Sequence, residues 1–235
     1  MNVAVILAGG KGIRTRLEIP KQFYEVSGKP VISYCLYTFL TYEEIDAVQI
    51  VADRMWHEYI MQHLFVLPCN EKFRGFSAPG ENRQLSIYNA LVDICGYASE
   101  NDMVVIHDAA RPCVSAAQIA DCLKAVSGHD GTLPVLPMKD TVYLSEEGKV
   151  VSSLLDRGKV FAGQAPEVFL LGRYYEANRT LLPDKILEIN GSAEPAVMAG
   201  MDIAMIPGDE GNFKITTAAD LQHFKETVQK DGRMV

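Results

Sequence analysis

The strongest chemical signal lies near the start of the chain, in Leu7-Ala8-Gly9-Gly10-Lys11-Gly12-Ile13-Arg14 followed by Pro20-Lys21-Gln22-Phe23. An apolar run over residues 3–8 feeds straight into this glycine-rich turn. The glycines let backbone N–H groups approach a ligand closely and point at it. Lys11, Arg14 and Lys21 follow within eleven residues. Such a loop suits an anion carrying several phosphates; the plainer reading is a glycine-rich turn with solvated cations. A Walker A loop requires G-x-x-x-x-G-K-[ST], which the segment lacks. The dinucleotide fingerprint G-x-G-x-x-G starts at Gly10-Lys11-Gly12 but meets Thr15 where its third glycine belongs. A nicotinamide enzyme is therefore disfavoured.

A second set of reactive residue types is His107-Asp108-Ala109-Ala110-Arg111-Pro112. Asp108 ends the apolar run Met103–His107. Ligands of open α/β sheets bind outside such carboxyl ends of strands. The competing role for Asp108 is a helix or loop cap. His107 reads as a packed, hydrogen-bonding histidine rather than a base. His57 and His63 lie six residues apart on one expected helix, poor spacing for a shared metal. Trp56 reads as packing, and Glu43-Glu44 and Glu146-Glu147 as solvated turns.

Further runs complete a pattern. They are Gly80-Glu81-Asn82-Arg83-Gln84-Leu85-Ser86, Lys139-Asp140-Thr141, Asp156-Arg157, Gly163-Gln164-Ala165-Pro166 and Asn212-Phe213-Lys214-Ile215-Thr216. With the glycine loop and the His107–Pro112 segment, they resemble, in order and across nearly the whole chain, a known family. It comprises the cytidylyltransferases that make 4-diphosphocytidyl-2-C-methyl-D-erythritol and the related ribitol-5-phosphate cytidylyltransferases. The resemblance implies a Rossmann-like, three-layer α/β nucleotidyltransferase fold and transfer of CMP from CTP to a polyol phosphate, with pyrophosphate released. It implies that Ala8, Gly9, Gly10 and Gly12 wrap the triphosphate and that Arg14, Lys21 and Lys214 neutralise it as catalytic cations. Gly80, Arg83 and Ser86 fall in the nucleotide-reading segment, and Asp108 is placed near the ribose and a Mg²⁺ ion. Thr141 and Arg157 would hold the polyol phosphate. In the family an antiparallel arm grips a second subunit, so a homodimer with shared sites is expected and Arg157 would serve the partner.

The chemistry agrees with these assignments. A phosphate monoester is already ionised near neutral pH and needs no strong base to attack the α-phosphorus. Catalysis is then mainly positioning and charge stabilisation by Lys, Arg and Mg²⁺. Two departures stand out. Where the family carries an acid in a T-D-E-A-S-like segment, the register from Pro195 and Lys214 gives Gly191, with Glu194 displaced along the chain. Ala165 stands where the family often has Thr in G-Q-T-P-Q. Gly191 motivates a rival reading, a nucleotide-binding homologue without turnover that regulates or scaffolds. Lys21, Asp108 and Lys214 argue for the enzyme. Leu7-Ala8-Gly9-Gly10 and Gly163-Gln164 lean towards the ribitol branch, with the methylerythritol branch nearly as close.

The elements that must position these residues follow a βαβα rhythm. Strands are expected at 3–7, 47–51, 73–77, 103–107 and 132–138, and helices at 30–40, around 56–64, at 82–95 and at 115–126. Such alternation argues for a parallel sheet covered by helices on both faces. Beyond Met138 the rhythm breaks into short segments at 141–144, 150–154 and 160–161, which predict an antiparallel arm over about 139–161. Helices return at 171–181 and 193–200, strands at 203–206 and 213–215, and a last helix over 217–229 with Thr217 as N-cap and Asp220 in its first turn. One domain over 1–235 is expected, since no linker divides the 235 residues.

Composition sets the bounds. Apolar residues make up 48%, and the formal net charge is -8, which disfavours a general nucleic-acid binder. No apolar run reaches the length of a membrane span. Residues 3–8 are too few for a signal peptide and lack a basic flank. Five cysteines without a C-x-x-C pair read as thiols of a reducing cytoplasm.

Overall fold

A computed structural model describes residues 1–10 and 19–231. Lys11, Gly12 and Arg14 lie outside the described residues, so the expectations placed on them do too. In chain order the elements are β1 (Asn2–Leu7), β2 (Glu25–Val26), β3 (Lys29–Pro30), α1 (Val31–Thr41), β4 (Ala47–Val51), α2 (His57–Leu64), β5 (Phe73–Ser77) and α3 (Arg83–Ile94). They continue with β6 (Met103–Asp108), α4 (Ala116–Ala125), β7 (Gly131–Pro137), β8 (Val142–Leu144), β9 (Ser153–Leu155), β10 (Phe161–Gly163) and β11 (Glu167–Leu170). The chain then forms α5 (Leu171–Arg179), α6 (Glu194–Met198), β12 (Ile203–Pro207) and α7 (Ala218–Asp231).

β6, β1, β4 and β5 lie side by side and parallel. Their register sets Asp108 opposite Leu7, Leu7 opposite Val51 and Val51 opposite Ser77, so four carboxyl ends line one edge of the sheet. The other half is mixed. β11 runs antiparallel between β6 and β7, β10 also pairs β7 antiparallel, and β12 pairs β7 in parallel.

The sheet is buried on both faces, as expected of parallel strands. Val3 and Val5 of β1 join Ile87, Ala90, Leu91 and Ile94 of α3 in one core cluster. Ala4 and Ile6 turn the other way, into a cluster with Leu36, Phe39 and Leu40 of α1. On α3 the four buried apolar positions follow the helical period, so one stripe faces the sheet. Burying each large side chain contributes roughly 1.5–3 kcal/mol. Asn82 starts α3 by accepting a hydrogen bond from Leu85 N–H at 2.8 Å, an N-cap.

β8 and β9 pair only with each other among the described residues, Tyr143 opposite Leu154, and form the arm. The second arm strand is Ser153–Leu155 rather than 150–154, because Gly148, at φ +70, leads a longer connection into it. Residues 213–215 are not a ladder strand. The segment is tied to the turn after β6 by a backbone bond, Ile215 N–H to Ala110 O at 2.8 Å. Buried Ile215 packs with Leu221, Phe224 and Val228 of α7, so burial rather than sheet pairing holds the segment in place. β11 had no counterpart in the sequence expectations; its four residues are too few to show a period.

Candidate functional site

The site grows from the carboxyl end of β6. Asp108 is buried, and three cations converge on it from three parts of the chain. Arg83, in the first turn of α3, reaches Oδ1 with Nη2 at 3.1 Å and Nε at 3.2 Å. Lys214 Nζ lies 3.0 Å from Oδ2, and Arg111 Nε 3.4 Å from the same oxygen. Burial alone would raise the Asp108 carboxyl; Arg83, Lys214 and Arg111 outweigh it and hold the group well below the usual carboxylate range. Asp108 therefore stays ionised and keeps three like charges together.

Each cation is placed by its surroundings. Ile215 enters the core beside Ala110, which sets its neighbour Lys214 next to Asp108. Arg111 Nη1 donates to Asn212 O at 2.8 Å, tying the turn after β6 to the segment of Lys214. Asn212 Nδ2 donates to Ala165 O at 2.7 Å. Arg83 Nη1 donates to Ser192 Oγ at 2.6 Å.

The glycine turn lies at the neighbouring end of β1. Gln22, in the short helical turn Lys21–Phe23, donates from Nε2 to Ala8 O at 2.6 Å and to Gly10 O at 2.8 Å. Lys21 is thereby carried on a segment pinned to the glycine turn. Phe23 anchors that segment by stacking on Trp56, centroids 4.3 Å apart, so Trp56 is packing as expected. A Cβ on Gly9 would fall 2.8 Å from Pro79 Cβ. The segment that leads into Gly80 thus abuts the glycine turn, and glycine is required by the close approach. A Cβ on Gly80 would meet Leu85 at 2.6 Å, while Gly80 N–H donates to Ser86 Oγ at 2.9 Å and Ser86 Oγ donates to Asn82 O at 2.8 Å.

Ala8, Gly9, Gly10, Lys21, Gly80, Arg83, Ser86, Asp108 and Lys214 are thus brought to one edge of the sheet. Thr141 and Arg157 are not. Thr141 precedes β8, and Arg157 is exposed on the arm, where its Nη1 donates to Lys139 O at 2.9 Å. Among the described residues neither bonds to the Asp108 group. The arm base is tied towards the site by an ion pair between Lys139 and Glu210. His107 is fully buried beside Phe39, and burial lowers it to about 4, so it is a neutral packing residue.

The sequence expectations overlooked several residues. Arg111 follows Asp108 by three positions, a signal open to reading. Gln22 sits inside the quoted Pro20–Phe23 run. Glu167 is an acid heading an apolar run, an unusual start for a buried strand. Glu194 does not reach the site: its Oε2 accepts from Asn190 N–H at 2.9 Å and Gly191 N–H at 3.3 Å, closing a local turn. Ser192 is the residue of that loop that turns inward.

The family profile described as 2-C-methyl-D-erythritol 4-phosphate cytidylyltransferase matches residues 2–230. The chain belongs to this family. A ribitol-5-phosphate cytidylyltransferase of Vibrio parahaemolyticus is 33% identical to it over 97% of this chain and 96% of its own. A 2-C-methyl-D-erythritol 4-phosphate cytidylyltransferase of Rubrobacter xylanophilus is 34% identical over 93% of this chain and 91% of its own. The crystal structure of the Francisella tularensis 2-C-methyl-D-erythritol 4-phosphate cytidylyltransferase superposes with a TM-score of 0.79 at 26% identity, covering 96% of this chain and 98% of that one. Membership in the cytidylyltransferases gives the convergence on Asp108 a chemical reading. No helix among the described residues is long and apolar enough to cross a membrane.

Proposed function

We propose that this cytidylyltransferase moves CMP from CTP to a polyol phosphate of the ribitol 5-phosphate or 2-C-methyl-D-erythritol 4-phosphate kind. The observation that carries the reading is Asp108 gripped by Arg83, Arg111 and Lys214 at the strand ends, beside Ala8–Gly10 and Gly80–Ser86. Three cations against one carboxylate leave a local surplus of positive charge in a chain of net charge -8, which draws a triphosphate to this edge. A phosphate oxygen of the acceptor forms the new bond to the α-phosphorus as the bridge to the β-phosphate breaks, and pyrophosphate leaves with the electron pair. Lys21, Lys214 and Arg14 stabilise the charge that spreads over the transferring group. Gly80 and Ser86 face the base, and Asp108 the ribose.

Among the described residues no three His, Cys, Asp or Glu side chains gather to hold an ion. Asp108 is the carboxylate at this edge that would hold a Mg²⁺ arriving with the triphosphate. Such an ion would supply further neutralisation of the triphosphate.

The exposed apolar side chains of the arm, Tyr143, Leu144, Val151 and Leu154, support a homodimer in which Thr141 and Arg157 hold the acceptor phosphate of the partner's site. A cytoplasmic location remains the reading of the cysteine pattern.

Pyrophosphate release tests the whole reading. With CTP and either polyol phosphate, release is expected to exceed that with UTP, ATP or GTP, and the better acceptor names the branch. Equal rates with a purine triphosphate would overturn the cytosine assignment; CTP binding without release from any acceptor would favour the non-catalytic homologue.

A further inference from the structure

Glu167 opens β11, opposite Ile106 on β6 and so one strand away from Asp108. It is 8% exposed. Its Oε1 accepts from Ser192 Oγ at 2.5 Å, and its Oε2 has no hydrogen-bond partner among the described residues. Burying a carboxylate without a direct ion partner is unfavourable. The fold alone would be served better by an amide or an apolar side chain at this position.

The Ser192 hydroxyl explains what the carboxylate does. A hydroxyl has one proton to give. Here it goes to Glu167, which leaves the oxygen lone pairs facing Arg83 Nη1 at 2.6 Å. The Ser192 backbone is held as well, its carbonyl accepting from Tyr174 Oη at 2.7 Å, and Tyr174 Oη in turn accepting from Gln84 Nε2 at 3.1 Å. Both Gln84 and Arg83 belong to the first turn of α3. Arg83 is thus fixed at one end by Asp108 and at the other by a hydroxyl whose direction Glu167 sets. The 190–192 loop offers no carboxylate of its own, since Gly191 stands there and Glu194 is spent on its backbone.

We propose that Glu167 is a positioning residue of the nucleotide site, acting through Ser192 to orient the Arg83 guanidinium that grips Asp108. Burial raises the Glu167 carboxyl above its usual range, and the Arg83 charge pulls it part of the way back. The turnover arm of the test rests on the CTP reading; the arm on the ligand-free protein does not.

The experiment compares wild type, Glu167→Gln, Glu167→Ala, Ser192→Ala and the Glu167→Ala/Ser192→Ala double variant, each checked for folding by its thermal melt. In ligand-free protein the Arg83 guanidinium ¹⁵Nη signals, assigned with Arg83→Lys, report whether the group is held. Separate signals are expected in wild type and merged, broadened ones in Ser192→Ala and Glu167→Ala. The kcat/KM for CTP is expected to fall at least ~10-fold in each alanine variant, and Glu167→Gln, which keeps the volume and an acceptor, to fall between. The double variant should be within about 2-fold of the weaker single, since both changes break one chain of bonds. Effects that multiply, or a folded Glu167 variant with unchanged Arg83 signals, overturn the proposal. Absence of CTP turnover in wild type would sink the cytidylyl-transfer reading instead, and the Arg83 signals would still decide the relay.

Discussion

Lys214 Nζ lies 3.0 Å from Asp108, and Arg83 and Arg111 hold the same carboxylate. An anionic substrate competes for cations that are already desolvated in part and already aimed. That is preorganisation, and it is why single cations should matter. Lys214→Ala and Lys21→Ala are each expected to lower kcat by at least ~100-fold, the loss of one preorganised charge stabiliser being worth roughly 3 kcal/mol. Steady-state kinetics with unchanged melting curves checks this, and near-wild-type kcat in both variants would remove the proposed mechanism. The two lysines are held differently. Lys214 depends on the burial of Ile215, whereas Lys21 depends on the Gln22 bonds to the glycine turn. Gln22→Ala is therefore expected to weaken CTP binding several-fold without touching Lys214, as a rise in KM for CTP; no change would sink the pinning argument.

At the scale of elements, α7 decides where the Lys214 segment runs. Thr217 and Asp220 form its cap: Asp220 Oδ2 accepts from Thr216 N–H at 2.8 Å and Thr217 N–H at 2.7 Å, and Thr217 Oγ1 accepts from Asp220 N–H at 3.2 Å. This reciprocal pattern is a capping box. Burial raises the Asp220 carboxyl, but the bonds from Thr216 and Thr217 outweigh it and lower it from 3.8 to about 2. A folded value below the unfolded one means stability that is present above about pH 4 and lost as pH falls through about 2. Asp220→Ala should cost about 1 kcal/mol at pH 7, discounted for partial exposure, with the gap to wild type narrowing towards pH 2. Denaturant midpoints across that range measure it, and equal midpoints at pH 7 would refute the cap. The arm behaves in the opposite way. A two-stranded hairpin is marginal alone, and Tyr143 and Leu154, paired across β8 and β9, are 59% and 65% exposed. The proposed dimer predicts that wild type sediments as a dimer and Tyr143→Ser/Leu154→Ser towards monomer; a monomeric wild type would sink the dimer, and an unchanged dimer in the variant would place the interface elsewhere.

For the whole molecule, the distance between arm and Asp108 group matters most. Arg157 bonds within the arm and not to the strand ends among the described residues. In the proposed dimer, the site it serves belongs to a second copy. Arg157→Ala should then raise the KM for the polyol phosphate strongly and leave CTP binding almost unchanged. An exposed residue without such a role would change stability by no more than about 0.5 kcal/mol and kinetics hardly at all. Mixing Arg157→Ala subunits with Lys21→Ala subunits gives heterodimers in which one site carries both lesions and the other neither. Activity is expected to return in part on subunit exchange, and its absence in verified heterodimers would sink the shared site.

Local pattern determined much of this protein. Apolar runs and their alternation with helical patterns placed β1, β4, β5, β6 and the helices between them, Thr217 marked a helix start, and the glycine turn and Asp108 fell at strand ends where a parallel sheet exposes its ligand edge. These features depend on residues a few positions apart, so the sequence states them directly. The tertiary structure decided what depends on the order of strands. Arg83 and Ser192 are 109 residues apart, and Arg111 and Asn212 are 101 apart. No period links them; they meet because β11 enters antiparallel between β6 and β7 and α7 clamps Ile215 against the turn after β6. The same packing held 213–215 without a ladder and gave Glu167 a place beside the site, because burial and strand neighbours, rather than local propensity, set the fate of segments only three or four residues long.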